Sequence, residues 1–279
     1  RQILGWVLGP TSLITTFLLA PPTDLDLPGW RTMGVAIWMA VWWICEPVPI
    51  AATALLPMVL FPILGLGTIQ ETCEPYAHPL VFLFLGGFLI ALGMQKWHLH
   101  RRLALFLIGM LGVRPKRVIA GFLLAGAMIS MWVSNTATAM MMLPIALSVA
   151  SLTPKRTGHE PDSFSPALML AVAYGATAGG MGTLIGTPPN ALLAGYLDRV
   201  HGFQIGFAQW MLIGVPVVLL TLPIIYWTLT RWVFRLPEQE LPGMQNLLEK
   251  ARKDQGPISR GEWAVGGVFA LTAIAWMFR

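Results

Sequence analysis

Charge is what this sequence has least of. Asp, Glu, Lys and Arg make up 11% of the chain, against about 25% in an average soluble domain. A soluble fold needs a charged surface, so that class is excluded and a polytopic helical membrane protein is indicated. Cysteine is scarce too. Cys45 and Cys73 stand far apart, with the spacing of neither a disulfide framework nor a metal site. There is no cleavable signal pattern. Most telling is where charge is missing: every Asp, Glu, Lys and Arg falls at or outside the ends of the apolar segments. Proton pumps and intramembrane hydrolases keep an ionisable residue at membrane depth. An intramembrane enzyme also needs a nucleophile with its base, or a metal cluster, and neither polar interruption described below has a His, Cys, Asp or Glu. The sequence is therefore read as a non-enzyme.

What is abundant agrees. Hydrophobic residues reach 56%, with 12 Trp, 28 Gly and 22 Pro, and Trp collects at membrane interfaces while Gly and Pro are frequent in membrane helices. The net charge of +5 fits an oriented membrane protein better than a nucleic-acid binder. Candidate spans are 3–20, 33–45, 50–64, 80–94, 166–197, 208–234 and 263–278. Residues 96–117 begin basic and continue apolar, as a helix lying in the interface would. His78, His98, His100 and His201 stand near span ends and are expected at the interface.

Residues 118–152 enclose the run Ile129-Ser130-Met131-Trp132-Val133-Ser134-Asn135-Thr136-Ala137-Thr138 between two apolar arms. Hydrocarbon cannot hydrogen-bond a polar group, so this run is expected at the tip of a hairpin that enters and leaves on one side. Its second arm, from Ala139, has too few residues for the roughly 20 that a crossing needs. With that topology, 15 of the 18 basic residues fall on the side of Arg1, as positive-inside orientation requires. The polar loop that follows carries Lys155, Arg156, Glu160 and Asp162, and 235–262 reads as a charged loop.

A second interruption, Gly179-Gly180-Met181-Gly182-Thr183-Leu184-Ile185-Gly186-Thr187-Pro188-Pro189-Asn190, is expected to loosen its helix and expose carbonyls. Proline suits a helix start because it lacks the N–H that a first turn leaves orphaned, and Thr187 would sit at the cap. Ser130 and Ser134 are four apart and expected on one helical face, with Asn135 adding an amide oxygen. Carbonyl, hydroxyl and amide oxygens suit a cation. Amides and helix N-termini suit an anion. The other reading is that Ser and Thr only join helices and that the glycines only permit close packing. A nucleotide loop is set aside, since no strand precedes the glycines and no lysine follows.

Three motifs together are similar to those of the divalent-anion:sodium symporter family. They are Ser134-Asn135-Thr136 with Ala137-Thr138-Ala139, Gly186-Thr187-Pro188-Pro189-Asn190, and Trp42-Trp43-Ile44-Cys45-Glu46-Pro47-Val48-Pro49 running on to Pro57. Cys45 stands where threonine is expected. The resemblance implies an all-α polytopic fold of two inverted repeats, each with a re-entrant helical hairpin and a broken transmembrane helix. On that pattern, 1–95 are scaffold helices, 96–117 the interfacial helix, 118–152 the hairpin and 166–234 transport-domain helices. Residues 235–262 would be a cytoplasmic loop and 263–279 the start of the second repeat. The resemblance further implies a homodimer with an elevator-type motion in a bacterial inner membrane. It places Ser130, Ser134, Asn135 and Gly182 around a sodium ion, and Asn135, Thr136, Thr187, Pro188 and Asn190 near a substrate carboxylate. Sodium would be the coupling ion, with no other cofactor and no nucleic-acid partner. Sodium-coupled uptake of a C4 dicarboxylate is expected, with a sodium-independent anion exchanger of the same fold as the alternative. Only one such hairpin is present, so the 279 residues are expected to be the N-terminal portion of a longer carrier, unable to transport alone.

Overall fold

Apolar runs punctuated by proline, glycine and capping side chains fold into helices in the computed structural model, which describes residues 1–152 and 163–278. No strand occurs among the described residues. Lys155, Arg156, Glu160, Asp162 and Arg279 lie outside them. The chain forms two compact units, Arg1–Phe82 and Leu83–Arg279.

In the first unit, α1 (Gln2–Leu18) packs on α2 (Leu27–Cys45), where Trp42 Nε1 donates to the Gly5 carbonyl at 2.9 Å. Asp26 caps α2 by accepting from the Gly29 amide at 2.8 Å, and Glu46, in the left-handed region, ends it. The expected span 50–64 is not one helix. It divides into α3 (Ile50–Thr53) and α4 (Leu56–Ile63). Pro57 has no N–H to give the Thr53 carbonyl and its ring crowds that oxygen, so the helix restarts. Residues 68–77, between the expected spans 50–64 and 80–94, form α5 (Ile69–Cys73) behind a Thr68–Glu71 capping box and then a 3₁₀ turn.

α6 (Pro79–Lys96) leads into the second unit, followed by α7 (Leu99–Leu111), α8 (Pro115–Ser130), α9 (Asn135–Ala150) and α10 (Phe164–Gly180). Then come α11 (Pro188–His201), α12 (Phe207–Trp227) running into a wider π turn, α13 (Met244–Gln255) and α14 (Arg260–Met277). The core is built around α8, whose Val118, Ile119, Phe122 and Ala125 are fully buried. Packing of α8 on α10 decides everything about the site. A side chain at Gly175 would meet the Leu123 carbonyl at 2.5 Å, one at Gly179 would meet the Ala127 backbone, and the Thr183 hydroxyl donates to the Met131 carbonyl. These contacts keep one sequence separation throughout, so α8 and α10 run parallel and end together. Gly175 and Gly179 are four apart on one face, the spacing that lets membrane helices approach backbone to backbone.

α9 runs the other way. Asn135 lies against Gly180, while Leu143 shares a groove with Met169 nearer the start of α10. The α8–α9 turn is fixed by Trp132, stacked on Phe207 of α12 at 5.9 Å and edge-on to Phe269 of α14 at 4.8 Å. Among the described residues, two helical stretches, Ile69–Lys96 and Phe207–Val233, are long and apolar enough to cross a bilayer. On α12, Leu212 is 76% and Leu220 70% exposed; water would penalise such a surface and hydrocarbon would not.

Two expectations outside the site need correction. Residues 235–262 are not loop throughout. Met244, Leu248 and Ala251 recur on one face, and this face of α13 closes on α7 and the core around α8. His100 is not exposed at its span end. It is buried on α7 with Nδ1 3.1 Å from the Met94 carbonyl. Burial holds its pKa below the ordinary value, and because a carbonyl only accepts, Nδ1 carries the proton.

Arg102 of α7 ties this corner down. Its Nε donates to Glu262 Oε1 at 2.7 Å and its Nη2 to the Gly256 carbonyl at 3.2 Å. Together with the Ser259 amide, the guanidinium holds the Glu262 carboxyl down from 4.5 to about 2. A lowered folded-state pKa adds stability that is fully present above the unfolded value and lost as pH falls through the folded one. Hydrogen-exchange protection across 256–263, corrected for intrinsic rates, is therefore expected to stay level from pH 7 to about 5 and to fall between about 4.5 and 2. In Glu262→Gln it should be low at every pH.

Candidate functional site

Because α8 and α10 run parallel, their carbonyl-bearing ends finish side by side, and two new helices start from the same place. Ser134 is the N-cap of α9, its Oγ accepting from the Ala137 amide at 3.4 Å, the role for which serine is favoured. Ser130, the fully buried last residue of α8, donates its hydroxyl to Asn135 Oδ1 at 2.8 Å. Ser130 and Ser134 do not share a continuous helical face. The turn Met131-Trp132-Val133 separates them, and Asn135, not Ser134, pairs with Ser130. Ser134 borders an apolar slot of about 250 Å³ lined by Phe88, Ala91, Leu92 and Gln95.

The second break lies directly against the first. Asn135 faces Gly180, where any Cβ would collide with its amide, and Gly182 packs against Met131. Several carbonyls of the glycine run, expected to lie open, are taken. Asn190 Nδ2 donates to the Gly180 and Thr183 carbonyls, both at 2.8 Å, and Trp210 Nε1 of α12 donates to the Met181 carbonyl at 3.0 Å. Gly214 of α12 comes so near that a Cβ there would sit 2.5 Å from the Met181 carbonyl. Asn190, 7% exposed, thus braces the break through its amide nitrogen.

The two helix starts differ chemically. α9 begins with Asn135 and the exposed Thr136, whose amides belong to the unpaired first turn. α11 begins with Pro188 and Pro189, which have no N–H, and the Asn190 amide turns back to the Thr187 carbonyl at 3.1 Å. The half-buried Thr187 is the N-cap without making a side-chain capping bond, so at this end its hydroxyl and the helix dipole are what an anion can meet. Neutral oxygens and positive helix ends gathered at one junction can hold a small cation beside an anion. Thr183 and Trp210 escaped the sequence reading. Thr183 lay inside the glycine run and could have been singled out there, whereas Trp210 carries no local signal.

Residues 40–279 match the citrate transporter family. The sodium-dependent dicarboxylate transporter SdcS of Staphylococcus aureus is 38% identical over 283 residues, covering 100% of this chain and 54% of that protein. SdcS of Staphylococcus saprophyticus is 40% identical over 284 residues, with the same coverage. The chain spans about half the length of the curated relatives it matches. A family match over most of the chain, with the serine–asparagine–threonine and glycine–threonine–proline motifs at adjoining helix breaks, has one reading: the chain belongs to the divalent-anion:sodium symporters, the family of the citrate and dicarboxylate carriers.

Proposed function

We propose that this chain supplies one half of the binding site of a sodium-coupled carrier for a divalent anion, a C4 dicarboxylate in first place, in a bacterial inner membrane. The observation that carries the proposal is the parallel pairing of α8 with α10, which brings both helix breaks to one point. Both arms of the α8–α9 pair have 16 residues, about 24 Å of helix at 1.5 Å per residue, short of the roughly 30 Å hydrocarbon core. That supports a re-entrant hairpin, with α10 and α11 as the two halves of a broken membrane helix.

In this scheme Ser130, Ser134 and Asn135 present oxygens to sodium, with the backbone near Gly182 closing the site. Bound sodium orders the turn and adds positive charge, so the anion binds afterwards. The amides and hydroxyl at the start of α9, from Asn135 and Thr136, meet a carboxylate, and Thr187 approaches from the facing break. Pro188 offers no donor and contributes shape. Asn190 keeps the break in place. If more sodium charge than substrate charge crosses, the membrane potential assists by about 2.3 kcal/mol per net charge per 100 mV. An elevator-type movement of the hairpin with α10–α12, in a homodimer, would carry the site across.

Uptake of labelled succinate into proteoliposomes of the full-length carrier tests this. Replacing external sodium with choline is expected to abolish uptake. Undiminished uptake in choline would instead indicate the sodium-independent exchanger.

A further inference from the structure

One hydroxyl beside the candidate site has no partner. Thr138 on α9 is fully buried, and among the described residues its Oγ1 makes no hydrogen bond. A threonine inside a helix ordinarily donates to the carbonyl four residues back. Thr15, Thr32, Thr177, Thr221 and Thr272 of this chain all do so, at 2.7 to 2.9 Å. Thr138 has the Ser134 carbonyl at that position, taking its amide at 2.9 Å, yet does not give it the hydroxyl. A buried hydroxyl without a partner is unfavourable, so its orientation calls for something that binds it.

Position says what that is. Thr138 follows Asn135 by three residues and precedes Met142 by four, so the three share one face of α9. That face points inward: Asn135 lies against Gly180 at the end of α10, and Met142 belongs to the core around α8. Thr138 therefore stands one helical turn below the Ser130–Asn135 contact, on the side where α8, α9 and α10 meet. A neutral hydroxyl suits a hard monovalent cation, which takes oxygen ligands, and adds no charge to a site that has none.

We propose that the Thr138 hydroxyl is a further oxygen at the cation site begun by Ser130 and Asn135; the assignment rests on the sodium-coupled function proposed above. Thr138→Val keeps the side-chain shape and removes the oxygen. In proteoliposomes of the full-length carrier, titrated with sodium at fixed succinate, this variant is expected to need about tenfold more sodium for half-maximal uptake, the scale of one contact to a charged group. The maximal rate at saturating sodium should move far less, and Thr138→Ser, which retains the hydroxyl, should restore the wild-type titration. The sodium-induced rise in melting temperature of the purified carrier reads the same constant without transport, with Thr138→Ala in place of valine if the latter does not accumulate. A sodium titration unmoved by loss of the hydroxyl would overturn the role of Thr138 and leave symport standing. Wild-type uptake indifferent to sodium would remove both.

Discussion

Asn135→Ala is expected to abolish sodium-dependent dicarboxylate uptake by the full-length carrier, lowering it on the order of 100-fold or more. Asn135 holds the first position of α9, accepts the Ser130 hydroxyl at 2.8 Å and fills the space that Gly180 leaves open. Alanine removes the oxygen that ties the end of α8 to the start of α9 and leaves the buried Ser130 hydroxyl unpaired. A contact to a charged ligand is worth about 1.5–3 kcal/mol and an orphaned buried donor costs about 1–3 kcal/mol. Each 1.4 kcal/mol is roughly a factor of ten, and here the same residue is proposed to touch both ion and anion. Met141→Leu, a swap of similar volume at a half-buried packing position on the same helix, is expected to leave uptake within about twofold. Equal losses in the two variants would mean that packing, not coordination, explains the motif.

Gly179→Ala is expected to lower the melting temperature of the full-length carrier by several degrees or more. A methyl there meets the backbone of Ala127, on a helix that is itself buried on nearly all sides. Backbone cannot rotate away as a side chain can, so α8 and α10 must separate. Overpacking of a well-filled core costs about 1–3 kcal/mol and sometimes more, or several degrees of melting temperature at about 2–4 °C per kcal/mol. The separation also pulls Thr183 off the Met131 carbonyl and opens the junction. Gly267→Ala is the control. On α14 a Cβ at Gly267 meets nothing within 4 Å, and alanine is favoured over glycine in a helix by about 0.8–1.0 kcal/mol. Thermal unfolding of the purified variants should separate them in opposite directions. Two alanine variants with the same melting temperature would refute the close approach of α8 and α10.

The local chemistry of the site was legible because it lies in residue types and spacing. The paired prolines marked the start of α11. At the first break the polar run was legible, but the expectation of Ser130 and Ser134 on one helical face hid the cap at Ser134 and the restart at Asn135. Partners across space were not legible. Gly175 and Gly179 advertise a close helix approach, but nothing in the sequence names α8 as the helix that approaches, or makes the pairing parallel. Counting glycines suggested open carbonyls, whereas Asn190 and Trp210 occupy those of Gly180, Thr183 and Met181. Charge misled once: Lys250, Arg252 and Lys253 made 235–262 read as loop, although Met244, Leu248 and Ala251 carried a helical period. Composition hid the break at residues 54–55 as well, since 50–64 is apolar throughout and only Pro57 marks where the helix restarts.

A cation held by neutral oxygens where two helix breaks meet should govern access to the α8–α9 turn. The direct measurement is the rate at which a polar thiol reagent labels Thr136→Cys, an exposed position beside the Ser130–Asn135 contact, in an otherwise cysteine-free full-length carrier. Sodium is expected to slow labelling relative to choline, and succinate to slow it further only when sodium is present. Labelling at one rate in sodium, in choline and with succinate would contradict an ion site at this junction.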